Sequence, residues 1–174
     1  AHHRRIQAGI LSWGQDMDFE HNPFQCNLGY QVSLSGKGEW NKTADYIGKE
    51  ALEKMKSQIK NGENPYKLQL VGFVLGGKPI EEYAPDFWLV SDAKGGKPVG
   101  YITSPWYHPE KKQNIAMGYV PYEGNLNKGG FPTGNFGKKY KVHLPKKYAS
   151  KPVDATVVPV PFTESFNANT REVK

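Results

Sequence analysis

From Pro65 onward, short runs of β-forming residues recur six times, each bounded by turn residues. They are 67–75 (KLQLVGFVL), 86–91 (DFWLVS), 97–103 (KPVGYIT), 113–120 (QNIAMGYV), 138–144 (KKYKVHL) and 153–160 (VDATVVPV). Six strands on short connections predict a small antiparallel barrel or sandwich. Asp92-Ala93-Lys94-Gly95-Gly96 reads as the hairpin loop between the second and third runs. The longest interruption, 121–137, is rich in Gly and Asn, and a long hairpin tip is expected there rather than a lid.

Upstream of Pro65 the pattern is different. Residues 1–12 read as the end of a helix, with Ile6 and Ile10 one turn apart and Gly14 as the stop. A polar turn region (15–23) precedes an extended segment from about Leu28 to Leu34. Residues 45–60 carry the clearest helix signal. Ile47, Ala51, Leu52, Met55 and Ile59 share one face, and Asn61-Gly62 ends it. One good helix and a lone extended segment cannot close a core. The chain therefore divides near residue 65 into an incomplete mixed part and a complete β domain, and a start at Ala1-His2-His3 without Met suggests a fragment.

The net charge of +6 comes from lysines in short groups, among them Lys111-Lys112 and Lys138-Lys139. Without a recognition helix or an RNA-binding motif they read as a solvated face, and no nucleic-acid partner is expected. A polyanionic small ligand would suit the same charge. Cys26 is the single cysteine, so no disulfide forms within the chain and a reducing compartment is indicated. No apolar run approaches membrane-spanning length, so the expectation is a soluble, cytoplasmic protein without a membrane partner. Asn41-Lys42-Thr43 matches a glycosylation acceptor but has no secretory context.

Common catalytic signatures fail on spacing. Around Gly129-Gly130-Phe131-Pro132 a phosphate loop would need glycine where Pro132 stands ahead of Gly137-Lys138. His2 and His3 point apart on a helix, and the other histidines have no partner at metal-ligand spacing. Ser104 precedes a proline with no nucleophile elbow around it, and Cys26 reads as a buried thiol acting as a small hydrophobe.

Two segments carry more. Arg5-Ile6-Gln7-Ala8 through Trp13-Gly14-Gln15-Asp16-Met17-Asp18, followed by Asn22-Pro23-Phe24-Gln25-Cys26-Asn27-Leu28, resembles the pattern R-x-E-A-x-x-x-x-Y-G-x-D-[MI]-D and [TN]-P-x-E-x-x-L of the glycine-cleavage T-protein family. Gly100-Tyr101-Ile102-Thr103-Ser104, with Pro109 and Asn114-Ile115-Ala116 through Val120, resembles a second pattern of that family. Between them, Asp45-Tyr46-Ile47-Gly48-Lys49-Glu50-Ala51-Leu52 is similar to its D-F-[IV]-G-K-E-A-L helix start. The ending Pro161-Phe162 with Arg171-Glu172-Val173 is similar to its C-terminus.

The resemblance implies an α+β, mainly β chain. Residues 66–174 would form a six-stranded antiparallel β-barrel, preceded in residues 1–65 by an incomplete α/β portion of the folate-binding domain. It implies a tetrahydrofolate-dependent aminomethyltransferase or, alternatively, a folate-dependent demethylase such as one acting on dimethylsulfoniopropionate. A non-catalytic folate- or protein-binding module is a further alternative. The catalytic aspartate of the family belongs to the N-terminal half, so no catalytic residue is expected here. The partners implied are that half of the polypeptide and a small one-carbon donor or an aminomethyl carrier protein. Arg171 matches an arginine that holds the glutamate tail of folate. Trp13, in place of the usual Tyr, and Tyr30 are candidates to stack on its ring systems. Gln25 stands at the motif's Glu, and Gln7 likewise replaces a Glu. A further folate-contacting arginine would fall at about Ala1, where the chain has none.

Overall fold

The computed structural model describes residues 2–32, 34, 45–123 and 136–162. The Asn41 acceptor, the glycines from Gly129 to Gly134 and Arg171 lie outside the described residues. Six strands follow in chain order: β1 (Leu68–Leu75), β2 (Trp88–Ser91), β3 (Pro98–His108), β4 (Gln113–Pro121), β5 (Lys139–Val142) and β6 (Val153–Val158). They close an antiparallel barrel in the order β1-β4-β3-β2-β5-β6. The barrel expected from six short runs is present, and closure leaves no strand edge exposed.

Two expectations about the β region need correction. Strand β3 runs on to His108, through Pro105, because β4 pairs with it down to His108↔Gln113. The strands on either side of 121–137 do not form the expected hairpin: β4 has β1 and β3 as neighbours and β5 has β2 and β6. Residues 124–135 between them lie outside the described residues. The β2–β3 hairpin is as expected: the Asp92 carboxylate accepts from Gly96 N at 3.1 Å and Gly95 takes the left-handed φ of 82°.

Alternation along the strands separates two apolar clusters. Val71, Phe73, Val90, Ile102, Ala116, Val120, Tyr140 and Val157 fill the barrel. Leu70, Ile115, Met117, Tyr119 and Val158 point outward, where Ile6 and Phe162 cover them. Strand β4 is therefore buried on both faces, which matches its nearly unbroken apolar sequence. Where β3 and β4 pair, two glycines leave no room for a side chain. A Cβ on Gly118 would lie 2.4 Å from the Tyr101 carbonyl oxygen, and one on Gly100 would lie 1.9 Å from that of Tyr119.

The segment covering this face begins with helix α1 (His2–Gln7). It stops at Gly9 rather than Gly14. Ile10 N bonds Arg5 O and Gly9 N bonds Ile6 O, both at 3.0 Å, with Gly9 at φ 68°, the left-handed ending that glycine adopts without strain. The extended segment expected around Leu28–Leu34 is instead a 3-10 turn at Gly29–Gln31. Helix α2 (Lys49–Lys60) is shorter than expected at its start and ends at Asn61-Gly62 as read. Its apolar face is not buried: Leu52, Met55 and Ile59 are half-exposed, and Ile47 just before it is fully exposed. No described helix is long and apolar enough to cross a membrane.

The contrast between the two regions sets a test. Gly118→Ala should cost about 2–4 kcal/mol in urea unfolding because a backbone oxygen cannot yield. Ile59→Ser should cost under about 1 kcal/mol. Comparable losses for the two would contradict this account of the packing.

Candidate functional site

The most connected polar group in the described chain is the carboxylate of Asp16, whose side chain is fully buried. Arg5, at the end of α1, donates from Nη1 to Asp16 Oδ2 at 2.5 Å and from Nη2 to Ser104 Oγ at 2.8 Å. Ser12 N donates to Oδ2 at 2.9 Å. The other oxygen, Oδ1, accepts the hydroxyls of Thr103 and Ser104, each at 2.6 Å. Four donors around one carboxylate make burial of the charge tolerable.

Thr103 and Ser104 can both reach Asp16 only because β3 is irregular there. Consecutive residues of a regular strand point to opposite faces. Ile102 pairs with Gly118 and Ser104 with Met117, leaving Thr103 as the extra residue of a β-bulge. The bulge brings both hydroxyls to the outer face of the barrel. The same turn is held by its main chain and its neighbour. Tyr119 OH donates to Asp16 O at 2.6 Å, while Gln15 Nε2 bonds Thr103 O and, at 3.2 Å, Ala84 O.

Beyond Tyr119 lies Cys26, 3% exposed, with Sγ 3.4 Å from the phenol oxygen. Burial raises the thiol pKa, opposed by the hydrogen bond to Tyr119. Burial also pushes the Tyr119 phenol far above its ordinary value. Neither is a proton carrier near neutrality. Cys26 forms part of the wall of a cleft of about 230 Å³ together with Gly9, Asn27, Leu28, Tyr30 and Pro161.

The candidate residues are not gathered into one place. Tyr30, 65% exposed, lies on the lip of that cleft, with its phenol oxygen 3.0 Å from Gln31 Nε2. Gln25 is next to Cys26 in sequence; its Oε1 accepts a long bond from Asn22 Nδ2 at 3.4 Å, while its carbonyl accepts Leu70 N and Gln69 Nε2, both at 3.0 Å. Trp13 is 58% exposed and packs edge-on against Phe19 at 4.8 Å, away from the cleft. Arg171 lies outside the described residues. Stacking capacity and charge do not single out the Arg5–Asp16–Thr103–Ser104 cluster. Its members were visible as letters of the two quoted patterns, which lie almost a barrel's length apart in sequence and meet at this carboxylate.

Asp16→Asn places an amide donor against Arg5 and Ser12 N, and should lower unfolding stability by about 3 kcal/mol in urea at neutral pH. Ser104→Ala should lower it by about 1–2 kcal/mol. Two near-neutral results would mean the cluster does not hold the N-terminal segment. Cys26 should react with a disulfide reagent at mildly alkaline pH about 100-fold more slowly in the native chain than in denaturant, since burial disfavours the thiolate and blocks access. Equal rates would exclude the buried thiol.

A family model of the glycine cleavage T-protein C-terminal barrel domain matches residues 69–164, more than half of the chain. An aminomethyltransferase from Thermotoga neapolitana is 33% identical over 146 residues, covering 82% of this chain and 34% of that protein. The dimethylsulfoniopropionate demethylase DmdA of Ruegeria pomeroyi is 36% identical over 118 residues, 67% of this chain and 27% of the relative. Among solved structures, the glycine cleavage system aminomethyltransferase T from Bartonella henselae aligns with a TM-score of 0.63 over 92% of this chain and 37% of its own. At 22% identity that likeness speaks for the fold alone. The chain spans between 27% and 37% of the length of these proteins. With its closed six-stranded barrel matched in this way, the chain belongs to the glycine cleavage T-protein family, through that family's C-terminal barrel domain.

Proposed function

We propose that this chain is the C-terminal portion of a cytoplasmic, tetrahydrofolate-dependent one-carbon transferase of the aminomethyltransferase type. In this reading residues 66–174 form its barrel domain and residues 1–65 complete a folate-binding domain begun in an N-terminal half. The observation that carries the reading is the family match over the barrel, joined to aminomethyltransferase relatives whose likeness continues upstream of it. The apolar face of α2 supports it too, since that face has the pattern of a buried surface and yet no residue of the helix is buried.

The described residues fit part of a folate site. The cleft of about 230 Å³ beside Tyr30 is smaller than the roughly 300 Å³ at which ligand pockets begin, and it carries no charged group. They would supply one wall, with Tyr30 where a flat ring could rest; Arg171, outside the described residues, would pair with the glutamate tail as the family resemblance implies. Tetrahydrofolate would serve as the one-carbon acceptor. The work of this chain would be positioning, with the reacting groups drawn from the other half and from a small donor or an aminomethyl carrier protein.

Methyl transfer from a donor such as dimethylsulfoniopropionate is the second reading. It is favoured by the DmdA likeness and by Gln7 and Gln25 standing where the glycine-cleavage pattern has Glu. In full-length protein, methylene-tetrahydrofolate as product supports aminomethyl transfer and methyl-tetrahydrofolate supports the second reading.

Calorimetric titration of tetrahydrofolate into the 174-residue chain should give a Kd weaker than about 100 µM, because one wall of a site forfeits most of the contact energy. In the full-length protein Arg171→Ala should weaken binding about tenfold. A Kd of about 10 µM or tighter for the 174-residue chain would refute the split site.

A further inference from the structure

A surface on the side of the Asp16 turn away from the cleft is unlike the rest of this chain. The loops 12–21 and 80–88 contain no lysine or arginine, although the chain as a whole has a net charge of +6. They carry Asp18, Glu20, Glu81, Glu82 and Asp86, all exposed. Among these stand exposed rings: Phe19 at 95%, Trp13 at 58%, Tyr83 at 57% and Phe87 at 52%.

Contacts join the two loops into one face. Trp13 packs on Phe19 at 4.8 Å. His21 contacts Asp18 at 2.7 Å through Nδ1 and the Tyr101 hydroxyl at 3.2 Å through Nε2. Tyr101 in turn stacks on Phe87 at 5.2 Å. On the other side, Tyr83 OH donates to Gln15 Oε1 at 2.8 Å, and Gln15 is held by the backbone of both Ala84 and Thr103. The face is thus fixed to the barrel through the Asp16 turn. Lys147, which ion-pairs with Glu82, is a described cation from outside that reaches it.

Four large exposed rings interleaved with carboxylates have the composition of an interface, with apolar anchors inside a charged rim. The negative charge excludes nucleic acid and anionic lipid as occupants. A small ligand finds no enclosure here, since the adjoining cavity beside Tyr83 and Trp106 holds only about 10 Å³. What complements both features is a guanidinium or ammonium group lying over a ring and beside a carboxylate, flanked by apolar side chains. We infer that this face docks a cationic segment of a partner polypeptide. None of these residues lines the cleft beside Tyr30, and the inference rests on the proposed function only in requiring that the N-terminal half leave this face uncovered.

The test is titration of the isotopically labelled 174-residue chain with a short peptide of alternating arginine and leucine, read by amide chemical shifts. A peptide with glutamate for arginine serves as the control. Expected are shifts confined to residues 12–21, 80–88 and Tyr101, affinity falling steeply with salt, and no response to the acidic peptide. Asp18→Asn with Glu20→Gln should weaken binding about tenfold, Trp13→Ser with Phe19→Ser at least as much, and Glu53→Gln on α2 should leave it unchanged. All are exposed positions, so retained amide dispersion verifies folding. Shifts spread over the surface, no binding, or equal binding of the acidic peptide would overturn the inference. So would self-association of the chain that the Asp18/Glu20 variant abolishes, which would make a second copy the occupant.

Discussion

One buried carboxylate fixes how the first thirty residues sit on the barrel. Asp16 sits between the guanidinium of Arg5 and two hydroxyls from a bulge in β3, with its own carbonyl held by Tyr119. A bare carboxylate in that position would not be tolerated, and the guanidinium and hydroxyls would be similarly costly without it. The cluster is satisfied only when α1, the 12–18 turn and strand β3 are all in place. It therefore acts as a register key, placing Ile6 and Phe162 over the outer face of β4 and setting the walls of the cleft beside Tyr30.

Much of the architecture was legible from local pattern. Six β runs with turn residues between them yield six strands, and Asn61-Gly62 ends α2 by the expected geometry, with Glu63 N bonding Gln58 O and Gly62 N bonding Ile59 O. The features that local pattern does not report share a cause. The separation of β4 from β5, the continuation of β3 through Pro105 and the bulge at Thr103 are set by pairing between strands, which the periodicity of one strand does not report. Leu28–Leu34 looked extended from composition, yet the 22–28 turn is tied down by Gln69 and Leu70 and the chain continues as a 3-10 turn.

The candidate site was less legible for a different reason. Side-chain type picked out Trp13, Tyr30 and Gln25, but type does not report direction. Trp13 and Tyr30 end on different surfaces, and Gln25 bonds Leu70 and Gln69 through its backbone carbonyl. The residues that organise the region, Arg5 and Asp16 with Thr103 and Ser104, look unremarkable singly. They gain meaning only when two quoted patterns are brought to the same point in space.

The strand order also has a consequence for how the molecule comes into being. The barrel is sealed by β6 joining β1, in pairs such as Gly72↔Val158, and these lie near opposite ends of the β region. Until β6 leaves the ribosome, β1 and β5 each present an open row of amides and carbonyls, on a sheet whose apolar interior has no lid. A nascent chain arrested before Val153 would be the species most prone to pair with its own kind. The danger passes only with the last strand, since closure must wait for a contact between remote parts of the chain.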